Sequence, residues 1–470
     1  MIDTGFADLV VINAIILTAG GGKIRTNPLH LFTSITPVIP KSGGQLPTQC
    51  EASSDTESVS LPPKRIRRSA MRVALIGCGN VAPFYLKTLW KYPQLELVGV
   101  MDQDEKRAAT FSRYYSIFRY HSLAEVLDDK KVELVLNLTN PRSHFEITKV
   151  CLLAGKHVYS EKPLAMSFPE AQELVNLAHE QGLSLSAAPS RLLGETAQTL
   201  WKALRQEVLG TVYLAYAEMD DGLIHRMPYQ RWINELGIPK PQKDEFEVGC
   251  ILEHAAYPVS WLQAFFGPVE TVSAFSSCQI PDKGADVPLL GPNSPDFSIA
   301  VLKFVSGMVA RLTCSLIAEK DRSLRIFGDK GVLCTDDIWW PRCRIYIKPY
   351  LTIGSRTMLA PWKVSCPLVR PQPQSIGTHT SDLIHALRPK AFLRALRARI
   401  RHLRPRVDFC LGIVELAEAI KDGRSSRLSA EFCLHTTEII LAMHNAFSTG
   451  TTYRLKTSFD PVDPMPWARL

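Results

Sequence analysis

The sequence predicts an α/β protein in two parts: a doubly wound, mostly parallel sheet, then an α+β domain on a large, mostly antiparallel open sheet. Three observations predict it. From Met71 to about Ala188, short apolar runs without alternation, such as Val73 to Ile76, recur between helix-period segments, as buried parallel strands require. From Val212 to Thr335 the runs are longer, alternate and have few helices between them, as half-covered antiparallel strands require. A glycine turn, Gly77-Cys78-Gly79, joins the first strand to the first helix.

The first part opens with a strand from Met71 to Ile76, and Pro83 stands where a helix opens, where its missing N–H costs nothing. Phe84 to Tyr92 reads as that helix and Leu95 to Met101 as the next strand, ended by Asp102. Glu105 to Tyr114 is helical. Ser122 with Glu125 three residues on forms a capping box for a short helix to Lys130. Val132 to Leu138 is a strand that ends in the turn Thr139-Asn140-Pro141. A helix from Arg142 to Ala154, a strand from His157 to Ser160, a helix from Ser167 to Gln181 and a strand from Ser184 to Ala188 complete the unit.

In the second part, strands are expected at Val212 to Met219, Val269 to Phe275, Phe297 to Phe304, Met308 to Ser315, Ser323 to Phe327 and Val332 to Thr335. Helices are expected at Glu195 to Glu207, Val407 to Ala419 and Ala430 to Ala446. The expected boundaries are a leader over 1–70, the parallel-sheet domain over 71–190, the α+β domain over 191–455 and a tail over 456–470.

With 470 residues, 46% of them hydrophobic and 21% charged, the chain has the composition of a soluble protein of two or three domains. Its net charge of +8 is local: eight basic residues and no acid lie between Arg388 and Arg406, so the rest sums to about zero. A general nucleic-acid role is excluded. The basic stretch itself reads as an amphipathic surface helix whose apolar face packs inward. The eleven cysteines show no C-x-x-C and no zinc spacing, so no metal is expected, and a reducing, cytoplasmic setting is. Leu9 to Leu17 is too short to span a bilayer, and no positive start marks a secretion signal.

Chemistry gathers at three places. Gly77, Gly79 and Ala82 sit at G-x-G-x-x-A spacing between a strand and a helix, and Asp102 ends the next strand twenty residues past Ala82. Gly77 permits the tight turn and Gly79 a close backbone approach to a pyrophosphate. Ala82 lets helix pack on strand, and Asp102 can accept hydrogen bonds from a ribose. This is a dinucleotide site. Asp102, followed by Gln103 rather than Arg, favours NAD over NADP. The second place is Glu161-Lys162-Pro163, at a strand end beside the expected cofactor, where an ammonium can hold a substrate hydroxyl. The third is Gly249 to Tyr257. Gly249 can open a helix, and Glu253 and Tyr257 are four apart on one face. Either Tyr257, with its acidity raised by the Lys162 cation, or His254, with its near-neutral titration, suits proton transfer. The residues alone leave the two balanced.

The glycine fingerprint, Asp102, Thr139-Asn140-Pro141, Glu161-Lys162-Pro163 and the Gly249–Tyr257 helix occur in the order and spacing of the Gfo/Idh/MocA oxidoreductases. The chain resembles that family from about Met71 to Tyr453. The resemblance implies a cofactor site of Gly77, Gly79, Asn80, Val81, Asp102, Thr139, Asn140, Pro141, His144, Glu161, Lys162 and Arg191. It implies that Lys162 contacts both nicotinamide ribose and substrate. Many members carry Asp-x-Gly-x-His on the helix. Here Glu253 replaces the Asp, Ala255 the Gly and Tyr257 the His. The glucose–fructose and dihydrodiol branches also carry Tyr at that last position. Tyr257 is thus the implied acid/base, with Glu253 beside it and His254 demoted. The implied reaction is hydride transfer between NAD(P) and the hydroxyl or carbonyl carbon of a sugar, polyol or related cyclic alcohol. A homo-oligomer formed through the second sheet is also implied. Two rival readings on the same fold are a non-catalytic NAD(P)-sensing regulator and an NAD-dependent glycosidase.

Overall fold

The computed structural model describes residues 70–284, 294–367, 407–449 and 451–470. The leader and the basic stretch from Arg388 to Arg406 lie outside the described residues.

Five parallel strands form the first sheet: β1 (Met71–Ile76), β2 (Leu95–Met101), β3 (Leu134–Asn137), β4 (His157–Ser160) and β5 (Leu185–Ala187), in the order β2-β1-β3-β4-β5. β3 and β5 are buried along their whole length, which explains why their residues do not alternate between apolar and charged. The connecting helices are α1 (Ala82–Leu89), α2 (Glu105–Tyr115), α3 (Leu123–Asp128), α4 (His144–Leu153) and α5 (Phe168–Glu180). At α5 the full capping box forms: Ser167 accepts from the Glu170 N–H, and the Glu170 carboxylate accepts from the Ser167 N–H. At α3 only half of it forms. Ser122 accepts from the Glu125 N–H, but the Glu125 carboxylate takes the His121 N–H instead, at 2.7 Å.

The chain then runs through α6 (Glu195–Arg205), β6 (Val212–Asp220), α7 (Gln242–Cys250) and α8 (Ala256–Phe266). β6 belongs to a second sheet, of ten strands. β7 (Val269–Ser277), β8 (Phe297–Phe304), β9 (Val309–Ser315), β10 (Leu324–Gly328) and β11 (Gly331–Thr335) match the expected strands closely. β12 (Ile345–Ile353), β13 (Arg356–Leu359), β14 (Val364–Cys366) and the short β15 (Tyr453–Arg454) extend it beyond the sequence reading. All neighbours are antiparallel except β6 and β9. β8 shows why one face is covered: Ala300, Leu302 and Phe304 are buried, while Ile299, Val301 and Lys303 face outward.

Two helices close the structure, α9 (Leu411–Asp422) and α10 (Ala430–Thr449). α10 joins the core beneath the large sheet through Phe432, Ile439, Ile440 and Met443. α9 does not. Cys410, Ile413, Leu416 and Ala417 belong to the core of the first sheet, with Leu75, Leu136 and Tyr159. Gly412 is what permits that approach, because a Cβ there would stand 2.2 Å from the Tyr159 hydroxyl oxygen. Residues 456–470 are also seated: the Met465 N–H donates to Gln198 and Arg205 donates to the Ala468 carbonyl. Among the described residues no helix is long and apolar enough to cross a membrane.

Candidate active site

The glycine turn comes directly after β1. Gly77 has φ of +98°, and a Cβ on it would lie 2.5 Å from the Leu138 carbonyl oxygen, so only glycine fits. A Cβ on Gly79 would meet nothing within 4 Å, so the backbone there faces open space. That is the opening a pyrophosphate needs at the start of α1, where Val81 holds the N-cap position and no side chain caps the helix. Asp102 braces the turn: one carboxylate oxygen accepts from the Cys78 N–H at 2.8 Å, the other from the Asp104 N–H at 2.9 Å. Arg107 lies 3.5 Å from Asp102 and also 3.5 Å from Asp104. These features fit an adenine dinucleotide. Asn80 turns instead to the Ile238 carbonyl, bridging the glycine turn to the segment before α7.

Side chains stitch the remaining cofactor-side segments together. One Glu161 oxygen accepts from the Tyr85 hydroxyl of α1 at 2.7 Å, and the other accepts from the Lys162 N–H at 3.1 Å. His144 is buried, with Nδ1 2.7 Å from the Pro163 carbonyl and Nε2 3.1 Å from the Thr139 carbonyl. Burial lowers its pKa against the pull of those carbonyls, and we assign its single ring proton to the shorter contact. Asn140 caps the turn at Pro141 by accepting from the Ser143 N–H, and Thr139 donates to Asn137. Thus His144 and Asn140 set the shape of the turn, in which Thr139 and Pro141 are half-buried.

Lys162 leaves the end of β4 and reaches the second domain. Its Nζ lies 2.7 Å from a Glu253 oxygen, and both side chains are largely buried, at 12% and 19% exposure. Burial alone would lower the lysine pKa, but Glu253, Tyr257 and Glu161 outweigh it and hold the group above its ordinary value. It therefore carries its proton at neutral pH.

Gly249 does not open the first helix of this segment but interrupts one, near the end of α7. Its φ is +82°, and a Cβ would stand 2.8 Å from the Pro295 carbonyl oxygen. The chain beyond it is not a simple α-helix: Ile251–Ala255 form a π-turn before α8 begins. π-turns are rare and cluster at functional sites. Tyr257 stands in the first turn of α8, its ring 4.8 Å from that of Trp339, centroid to centroid. Burial raises its pKa, and the Lys162 and Arg191 cations oppose this without reversing it. The expected gain in acidity is thus corrected: the Lys162 cation acts in the predicted direction and Arg191 adds to it, but desolvation of the phenolate is larger.

Two further candidate residues are placed by packing. His254 does not face Lys162. It is buried between two carboxylates, with Nε2 3.7 Å from Asp221 and 3.7 Å from Glu245. Arg191 is buried in an aromatic slot, its guanidinium 4.5 Å from the Phe409 ring centroid and 5.0 Å from that of Trp339. Sequence reasoning missed Trp339 and Phe409. Trp339 carries Tyr257 on one side and both Arg191 and Arg322 within cation–π range. Neither aromatic lies in a motif. Only the fold brings them to the site.

Comparison with known proteins bears on the fold and family. Residues 71–188 match the family described as "Oxidoreductase family, NAD-binding Rossmann fold", and residues 197–334 match the "GFO/IDH/MocA C-terminal domain". The chain is 27% identical over 276 residues to trans-1,2-dihydrobenzene-1,2-diol dehydrogenase of Mus musculus, covering 58% of this chain and 76% of that protein. The Homo sapiens enzyme of the same name is 25% identical over 283 residues, covering 59% and 78%. Among solved structures, aldose–aldose oxidoreductase from Caulobacter crescentus shares the fold with a TM-score of 0.60 at 18% identity, covering 83% of this chain and all (100%) of that one. The WlbA dehydrogenase from Bordetella pertussis gives 0.59 at 17% identity, covering 83% and 99%.

Proposed function

The chain belongs to the GFO/IDH/MocA oxidoreductase family, and on that premise we propose that Lys162 and Tyr257 form the catalytic pair of a dehydrogenase acting on a vicinal diol, sugar or polyol. The observation that carries this is the 2.7 Å contact between Lys162 and Glu253, which draws the end of β4 and the Gly249–Tyr257 segment to one place. When bound, the nicotinamide supplies or accepts the hydride. The ammonium of Lys162 binds the reacting oxygen and stabilises the negative charge that develops on it. The phenol of Tyr257, kept protonated by burial, gives its proton to that oxygen in reduction and takes it back in oxidation. Glu253 holds Lys162 in place and is an acceptor for a neighbouring substrate hydroxyl. Arg191, buried and stacked, adds positive potential at the phenol.

NAD is the favoured cofactor. Asp102 would repel a 2′-phosphate, and the nearby Arg107 is already engaged with Asp102 and Asp104. The diol dehydrogenases among the relatives support a hydroxylated ring as substrate. The ten described cysteines are all free thiols, which supports a cytoplasmic setting. The outward row of Phe275, Ile299 and Val301 supports pairing of two copies through the large sheet. The test is nicotinamide absorbance with purified protein, NAD or NADP, and a panel of cyclic diols, aldoses and inositols. Turnover with a member of the panel is expected. Cofactor binding with no net redox change on any of them would favour the sensor or glycosidase readings.

A further inference from the structure

Beside the catalytic pair lies a group of side chains to which the hydride chemistry assigns no task. Asp221 comes just after β6, Glu245 lies on α7, and His254 is in the π-turn, next to Glu253. One atom from each, the imidazole Nε2 and one oxygen of each carboxylate, lie within 4.8 Å of one another. His254 is 7% exposed and Glu245 is 4% exposed. Yet neither nitrogen of His254 has a hydrogen-bond partner, and neither has the Glu245 oxygen that faces it. The separations of 3.7 Å are too long for hydrogen bonds. Leaving such buried groups unpaired costs on the order of 1–3 kcal/mol each.

The other oxygens of the two carboxylates are engaged. Glu245 uses its second oxygen for Lys240 at 2.7 Å and for the Tyr229 hydroxyl at 3.0 Å. Asp221 pairs with Arg322 through its second oxygen. These outer contacts fix both carboxylates so that one oxygen of each remains turned to Nε2. Ligating carboxylates in metal sites are commonly held this way by outer groups. Lys240 and Arg322 offset the charge of the two carboxylates.

We propose that Asp221, Glu245 and His254 bind a divalent first-row transition ion of the Zn²⁺ or Co²⁺ class, with solvent completing its coordination. One nitrogen with two carboxylate oxygens suits these ions, whereas Ca²⁺ and Mg²⁺ prefer all-oxygen sites. Bonds of about 2.0–2.2 Å at tetrahedral angles separate ligand atoms by roughly 3.3–3.6 Å. The two 3.7 Å separations to Nε2 need close by only a few tenths of an ångström, and the two carboxylate oxygens, within 4.8 Å of each other, by at most about 1.5 Å. The role is positional. The ion ties the end of β6 to α7 and the π-turn, and so fixes Glu253 against Lys162.

The test uses the full chain after dialysis against chelator, titrated with Co²⁺ and followed by visible absorption and calorimetry. One equivalent is expected to bind, with d–d bands and no thiolate charge-transfer band, and to raise the melting temperature. His254→Gln and Glu245→Gln should each weaken binding about tenfold or more. No saturable binding to wild type overturns the proposal, and so does a thiolate band or binding undiminished in both variants. The wild-type titration decides even where a variant folds poorly. Because its readout is metal binding, its failure is distinguishable from a failure of the dehydrogenase reading.

Discussion

Replacing Lys162 separates its catalytic role from its structural one. In Lys162→Met the Glu253 carboxylate loses its partner inside a site where the two side chains are 12% and 19% exposed. Breaking a buried pair typically costs about 3–5 kcal/mol, and the residual exposure of Glu253 places this one near about 3 kcal/mol at neutral pH. Turnover loses the ammonium that stabilises charge on the reacting oxygen, a loss on the order of 10²–10³-fold for one such donor. The double variant Lys162→Met/Glu253→Gln removes both charges and should recover most of the lost stability, yet none of the lost rate. The assays are thermal melts, nicotinamide titration by fluorescence and initial rates on the best diol or polyol substrate. Cofactor affinity should change little. A single variant with wild-type turnover, or a double variant no more stable than the single, would refute the reasoning.

The remaining predictions concern protons and glycines. Because burial raises the Tyr257 pKa, alcohol oxidation should accelerate by about tenfold per pH unit on the acid limb, with no plateau near neutrality. Arg191→Met, which removes an opposing cation, should move that limb to still higher pH. Gly77→Ala should cost stability, about 1–3 kcal/mol, because of its +98° φ and the Leu138 carbonyl. Gly79→Ala should fold normally but bind cofactor about tenfold more weakly, or about 1.4 kcal/mol, because its methyl enters the pyrophosphate space. His435 accepts the Val269 N–H through Nε2, and burial lowers its pKa to about 4. The unfolded chain protonates this group first, so stability should fall as pH drops from about 6.5 toward 4, by at most about 3 kcal/mol. His435→Gln should flatten that slope in a pH series of melts.

Much of the fold was legible because its signals are local. The parallel strands lie between helices as unbroken apolar runs, and Ser167 with Glu170 forms the capping box its spacing predicts. The half-formed box at Ser122 shows the limit of such rules, since the spacing is the same yet the Glu125 carboxylate takes the His121 N–H. β12 was unreadable because its residues are half exposed and interrupted by Pro349, so neither period stands out. The placement of α9 was also invisible, because an apolar helical face does not say which sheet it will cover. At the site, Gly77, Asp102 and Lys162 were found because their chemistry is set by motif position. Trp339, Phe409 and the carboxylates around His254 were missed because long-range packing alone assembles them. The sign of the Tyr257 shift needed its burial as well as its charged neighbours.

The most direct measurement is a crystal structure of the chain with NAD⁺ and an oxidisable diol. The Lys162 nitrogen and the Tyr257 hydroxyl should both lie within hydrogen-bond distance, about 2.6–3.2 Å, of the same substrate oxygen, with its carbon facing the nicotinamide. A complex in which only one of them reaches that oxygen, or in which the two line separate cavities, would contradict the account.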